Sequence, residues 1–332
     1  MAFEKVIMRK EGYNFVTSPA ILFLLFVSLY VSALYVPDKG YINEWIPILI
    51  SFIDTSFYTR NVSIILSSLA MGFTAISLYF IGLKMLGTGK NKFILPLFYL
   101  IFALISSDSI FFSGNSFASP LLLWSLYFSI LSKKSDLKCF LTGFLFSFSL
   151  LFDPHIALIL PLVFYYIFIS RGLSLRTIIL IITSILLPLI FLFSVRFLLF
   201  EDAMMFSDLM MLDLLQISTF AFSLENVAEF IILAAYAVIL ASGILYILSF
   251  RTGYSIIKSL THSRFILLLF FFLFLLILYP DTRGSLATIF AIPASVIASE
   301  YAGNFDKSNK SKIQLLVLFI FVIVGRISQF VY

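Results

Sequence analysis

The sequence predicts an all-α protein, a polytopic transmembrane bundle of about eleven helices, and three observations carry that expectation. Charged residues make up 12% of the chain and hydrophobic ones 61%, whereas a soluble domain carries about 25% charged residues. Apolar runs recur along the whole length, separated by short polar breaks. The remaining charges alternate in sign from one break to the next, as they do when a chain crosses a bilayer repeatedly. With 332 residues and no long polar segment, one membrane domain spanning 1–332 is expected, without a folded soluble domain.

A spanning helix needs about 20 apolar residues, with a range of roughly 17–25. The first such run, 18–36, follows Lys5, Arg9 and Lys10 and could pass for a signal peptide, but ten further runs make an uncleaved first helix the better reading. Residues 3–11 suit a short helix lying on the membrane surface, with Phe3, Val6 and Ile7 towards lipid. After the first helix, 37–61 is too polar to span; its apolar stretch from Trp45 to Phe57 suggests interfacial helices anchored by Trp45 and Tyr41. Spans then follow at 62–86, 93–109, 112–131, 139–153, 154–170 and 177–199. Residues 200–225 mix Glu201, Asp202, Asp208, Asp213 and Glu225 with Met and Leu and contain no base, which fits an amphipathic, membrane-hugging loop. The last spans are 226–249, 265–279, 284–299 and 313–330.

With the N-terminus in the cytoplasm, only Lys39, Arg60, Arg196, Arg283 and Arg326 of the 22 basic residues fall outside. Of the 17 acids, only Glu4, Glu11, Asp136, Glu300 and Asp306 fall inside. That asymmetry follows the positive-inside rule, so the net charge of +5 reports topology and argues against a nucleic-acid partner. An odd number of spans then places the C-terminus outside. The single cysteine, Cys139, excludes an internal disulfide and reads as a small buried hydrophobe. His155 and His262 lie far apart and no metal-binding or cofactor spacing is present, so no metal or cofactor is expected. Gly87-Thr88-Gly89-Lys90 lacks the rest of a phosphate loop and follows a helix, which makes Gly87 a helix C-cap.

Three outer turns join short apolar runs: 93–106 ends at Asp108, 139–152 at Asp153-Pro154-His155, and 265–279 at Pro280-Asp281-Thr282-Arg283. A 14-residue helix is about 21 Å long, against a hydrocarbon core of about 30 Å. If these helices start at the inner interface, Asp108, Asp153, His155, Asp281 and Arg283, with Ser113 and Asn115 nearby, floor an outward-open polar cavity, because charges at that depth need water or partners. The competing reading makes them ordinary helix ends among the headgroups. Asp153 followed by Pro154 reads as an N-cap with proline at the first helical position.

Residues 143–168 (GFLFSFSLLFDPHIALILPLVFYYIF) resemble the paired helices of GT-C-type glycosyltransferases, which use polyprenyl-phosphate sugars, and 279–298 (YPDTRGSLATIFAIPASVIA) are similar to a later arginine-bearing turn of that superfamily. The chain also resembles a group of short inner-membrane proteins from Bacteroidetes. The resemblance implies a GT-C-like arrangement with short re-turning hairpins, in the bacterial inner membrane, with the C-terminus periplasmic. It implies Asp38 as a catalytic general base, Arg283 as a clamp on the departing lipid phosphate and His155 as an assistant, with a polyprenyl-phosphate-linked donor as substrate. Asp38 equally suits an Asx-turn after Pro37. Two other functions stay open: a non-catalytic scaffold or subunit of a cell-envelope complex, with membrane lipids and envelope proteins as partners, and a transporter or lipid flippase. Against the last, no two-half symmetry is visible.

Overall fold

The computed structural model describes residues 60–86, 93–104, 114–199, 208, 227–250, 253–278 and 283–303. Among them it is helical, without strands. Helix α1 runs Arg60–Ile81 and widens into a π-helical turn at Gly82–Leu86; α2 is Ile94–Ala103, α3 Gly114–Leu131 and α4 Asp136–Phe152. A 3₁₀ segment, Pro154–Ile159, leads into α5, Leu160–Arg171. Then come α6 Leu175–Leu199, α7 Val227–Ser249, α8 Ile256–Leu278 and α9 Arg283–Gly303. Each of these nine matches one apolar run of the sequence. The runs 18–36 and 313–330, the surface segment 3–11 and the loops 37–61 and 200–225 lie outside the described residues, apart from Arg60, Asn61 and Asp208.

Among the described residues, four stretches are long and apolar enough to cross a membrane: Asn61–Leu86, Pro154–Arg171, Leu175–Leu198 and Ile256–Leu275. The chain is therefore a membrane protein by the length and composition of its helices. Around a buried apolar core, its outer surface is also apolar, unlike that of a soluble bundle. On α1, Ile65, Leu69, Phe73, Ile76 and Phe80 form an exposed stripe at helical spacing, while Ser63, Ser67, Thr74 and Ser77 are buried on the other side. Hydrocarbon facing outward and hydroxyls facing inward are stable only where the surroundings are apolar.

Small residues let the helices approach. A Cβ on Gly143 of α4 would sit 1.9 Å from Ser184 Oγ of α6. Beside it, Ser147 Oγ donates to Ile185 O at 2.7 Å. Between α3 and α4, Ser125 Oγ donates to Thr142 O at 2.8 Å, and Trp124 Nε1 reaches Ser77 Oγ on α1 at 3.0 Å. Such bonds contribute about 0.6 kcal/mol each in membrane proteins, so close packing carries most of the association. Helix α9 is the hub: every residue from Ala291 to Glu300 is buried, and it packs on α2, α3, α7 and α8. The backbone of α7 at Gly243 lies against Ile297, where a Cβ would meet Ile297 O at 3.0 Å.

These contacts fix the relative directions of the helices. Gly143 and Ser147 meet Ser184 and Ile185 in the same order, so α4 and α6 run parallel. Ser67–Ser116 and Ser77–Trp124 make α1 parallel to α3. Each hairpin partner runs the other way, so the bundle alternates and has two distinct ends. One end gathers Lys84, Lys133, Lys138, Arg171, Arg176 and Lys258 with Asp136 and Glu300, and the charge sorting expected from the sequence reappears there as a spatial one. The helices α4, α6 and α8 all start at this basic end, each with a serine whose Oγ accepts an amide one turn on: Ser135 from Lys138, Ser174 from Thr177 and Ser255 from Lys258.

One expectation fails. The run 265–279 was expected to be a short helix, but α8 begins at Ile256 and has 23 residues, about 34 Å at 1.5 Å per residue. Its first turns contain Lys258, His262 and Arg264, which an apolar-run criterion discards but which are held by partners inside the bundle. The first arm of this hairpin is therefore long enough to cross the hydrocarbon core.

Candidate functional site

At the end of the bundle opposite the basic one, α4 stops where Asp153 turns extended, with φ −147° and ψ 111°. Its amide still donates to Ser149 O at 3.1 Å. The Asp153 side chain then starts the next segment, since Oδ1 accepts the His155 amide at 3.0 Å and Pro154 occupies the first position. The expected cap with following proline is thus present. The same Oδ1 lies 2.9 Å from His155 Nδ1. A carboxylate oxygen only accepts, so Nδ1 carries the hydrogen and Nε2 is the basic nitrogen of the neutral ring. Both residues are buried, at 4% and 7% exposure.

The start of α3 packs onto this turn. A Cβ on Gly114 would stand 1.9 Å from Phe152 O and 3.8 Å from Asp153 N, so only glycine permits the approach. Phe117 stacks on Phe152 with centroids 5.6 Å apart. The next residue, Asn115, is also buried. Asn115 Oδ1 and Asp153 Oδ2 have no hydrogen-bond partner among the described residues. Buried acceptors without donors cost about 1–3 kcal/mol each, so at either atom a donor from a ligand, water or another segment would be stabilised.

Of the residues expected in the site, Asp153 and His155 are thus brought together as a hydrogen-bonded pair, with Asn115 close by. Asp38, Asp108 and Asp281 lie outside the described residues. Arg283 is the first residue of α9, and its side chain lies outside what is described.

The sequence reading missed a second polar cluster, at the basic end. Lys258 Nζ lies 2.7 Å from Glu300 Oε1. His262 Nδ1 lies 2.8 Å from Lys258 O, which only accepts, so that nitrogen too carries the hydrogen. His262 Nε2 then faces Glu300 Oε2 at 3.5 Å, an electrostatic contact and not an aligned hydrogen bond. Tyr254, just before α8, stacks on His262 at 5.2 Å and lies under Lys258 Nζ at 4.6 Å. Burial, then the Glu300 carboxylate, pushes the Tyr254 hydroxyl above the ordinary phenol range, which keeps it neutral. One turn deeper, Arg264 Nη2 donates to Tyr166 O at 3.1 Å and to Ser170 Oγ, while Tyr166 OH donates back to Arg264 O at 2.6 Å. The available signal was Ser255 as an N-cap ahead of Lys258 and His262, which stand four apart on one helix face.

No protein-family model, no characterised protein and no solved structure matches this chain.

Proposed function

We propose that this chain is a membrane enzyme of GT-C-like type that transfers a sugar or related group from a polyprenyl-phosphate carrier, with the Asp153–His155 end of the bundle as its reaction side. The observation that supports this is the buried pair itself. Asp153 fixes the orientation of His155 and places the hydrogen on Nδ1, the kind of preorganisation that acid–base chemistry requires. Asp38 serves as general base towards the acceptor hydroxyl, and Arg283, opening α9, binds the departing phosphate through its planar fork. The concentration of Lys and Arg at the other end supports a cytoplasmic position for that end, with the reaction side outside the inner membrane.

The test uses the full chain in proteoliposomes with a panel of polyprenyl-phosphate-linked hexoses and a cell-envelope extract that supplies acceptor hydroxyls, following release of the lipid phosphate. Asp38→Asn and Arg283→Ala should each abolish release while leaving expression and helicity unchanged. Release that persists in both variants, or that is absent from the unmodified chain with every donor, removes the proposal. A second reading, a non-catalytic subunit of an envelope complex, is favoured by one observation: Asp153 Oδ1 also accepts the His155 amide, so the pair has a turn-forming role that needs no substrate. Under that reading both variants are tolerated and a stoichiometric partner co-purifies.

A further inference from the structure

At the basic end, the starts of the parallel helices α4 and α6 stand side by side, with an open groove of about 420 Å³ lined by Asp136, Leu175, Arg176, Ile179 and Leu180. Its polar rim is a three-residue cluster: Arg171, closing α5, bonds Asp136 Oδ1, and Arg176, opening α6, bonds Asp136 Oδ2. One carboxylate shared between two guanidinium groups leaves the cluster with a net positive charge. Its two oxygens are both engaged, yet Arg171 Nη1 has no partner among the described residues, and the Arg176 side chain is 75% exposed. The wall running away from this rim is hydrocarbon that faces outward: Leu175 is 76% exposed and Ile179 53%. Charge at the top and bare aliphatic side chains below match, group for group, a molecule with an anionic head and an acyl tail. The amino ends of α4 and α6 add their positive dipole ends to the same rim.

From this juxtaposition we infer that the groove between the starts of α4 and α6 is a binding site for one anionic phospholipid, its phosphate on Arg176 and its first methylenes on Leu175 and Ile179. A soluble anion would find the arginines but leave the apolar wall uncovered, and a zwitterionic lipid would bring its own cation against the net positive rim. The site lies at the opposite end from Asp153 and His155, so it does not depend on the proposed transfer reaction. It gives the protein a fixed lipid contact in the leaflet that the basic end occupies.

Native mass spectrometry of the full chain released from detergent micelles tests this, with phosphatidylglycerol and phosphatidylcholine as probes. The expected result is one tightly retained phosphatidylglycerol per chain and about tenfold weaker retention in Arg176→Ala. Ile179→Glu, which leaves the Asp136 pairs in place, should weaken retention similarly and gives a separate reading if the arginine variant misfolds. Lys84→Ala, an exposed base on the last turn of α1 at the same end, should leave retention unchanged. Equal retention of phosphatidylcholine, unchanged retention in both groove variants, or complete displacement of phosphatidylglycerol by millimolar inorganic phosphate would each overturn the inference.

Discussion

The ion pair joining α8 to the hub helix α9 should respond unequally to loss of its two members. Glu300 and Lys258 are 2.7 Å apart, but the Glu300 side chain is 4% exposed and the Lys258 side chain 21%. Breaking a buried pair by removing one member costs about 3–5 kcal/mol, because the other charge stays behind unpaired. Lys258→Met leaves the Glu300 carboxylate at its buried position without its ammonium partner, so the loss should fall in that range, about 3–4 kcal/mol. Glu300→Gln leaves Lys258 on the first turn of α8, where its stem can carry the ammonium towards the interface. That escape reduces the expected loss to about 1–2 kcal/mol. The double variant Lys258→Met with Glu300→Gln leaves no unpaired charge and should be more stable than Lys258→Met alone. Unfolding of the full chain in mixed micelles, titrated with SDS and followed by helicity, supplies the three free energies and their coupling. If Glu300→Gln costs as much as Lys258→Met, or if the double variant recovers nothing, then desolvation of the carboxylate does not govern this contact.

Other expectations follow from the close approaches and from the Asp153 turn. Gly114→Ala places a Cβ 1.9 Å from a backbone carbonyl that cannot rotate away, so a loss of about 2–3 kcal/mol is expected in the same titration. Gly143→Ala meets the rotatable Ser184 Oγ and should cost about 1 kcal/mol, partly restored by adding Ser184→Ala; equal costs at the two glycines would contradict the contact geometry. Asp153→Ala removes both a cap and the partner of His155, for a loss of about 1–3 kcal/mol, whereas Asp153→Asn keeps an acceptor for the His155 amide and should cost less. Nitrogen NMR of His155 should show a protonated Nδ1 in the unmodified chain, and a ring protonated on Nε2 alone would refute the pairing. Cys139 is fully buried, so maleimide should fail to label it in the folded chain and label it after SDS unfolding; rapid labelling of the folded protein would refute its position.

The helices were legible because each is a local matter. Membrane-crossing backbone has to satisfy its hydrogen bonds within the segment, so an apolar run of sufficient length announces a helix without reference to the rest of the chain. Serines and proline at the starts, such as Ser135 and the Asp153-Pro154 step, are equally local. The start of α8 was misplaced because Lys258, His262 and Arg264 look like a polar boundary in one dimension. They belong to the helix because Glu300, Tyr166 and Ser170 stand opposite them in the bundle. Asp153 and His155, with Asn115 nearby, were legible as parts of one polar turn, but the hydrogen bond between the first two and the close approach of Gly114 to Phe152 were not.

Composition, periodicity and the placement of charge were enough to specify a multi-spanning helical protein with one basic end, because each depends on contacts with solvent, with lipid or within a single turn. Which side chains meet across the bundle depended on packing. Lys258 and Glu300 are separated by many residues of chain, as are Tyr166 and Arg264, and many pairings of nearly uniform apolar helices satisfy the same hydropathy pattern. Steric fit at a few small residues, Gly114, Gly143 and Gly243, selects among them, and that selection determined which charges were buried together and which stand exposed at the basic end.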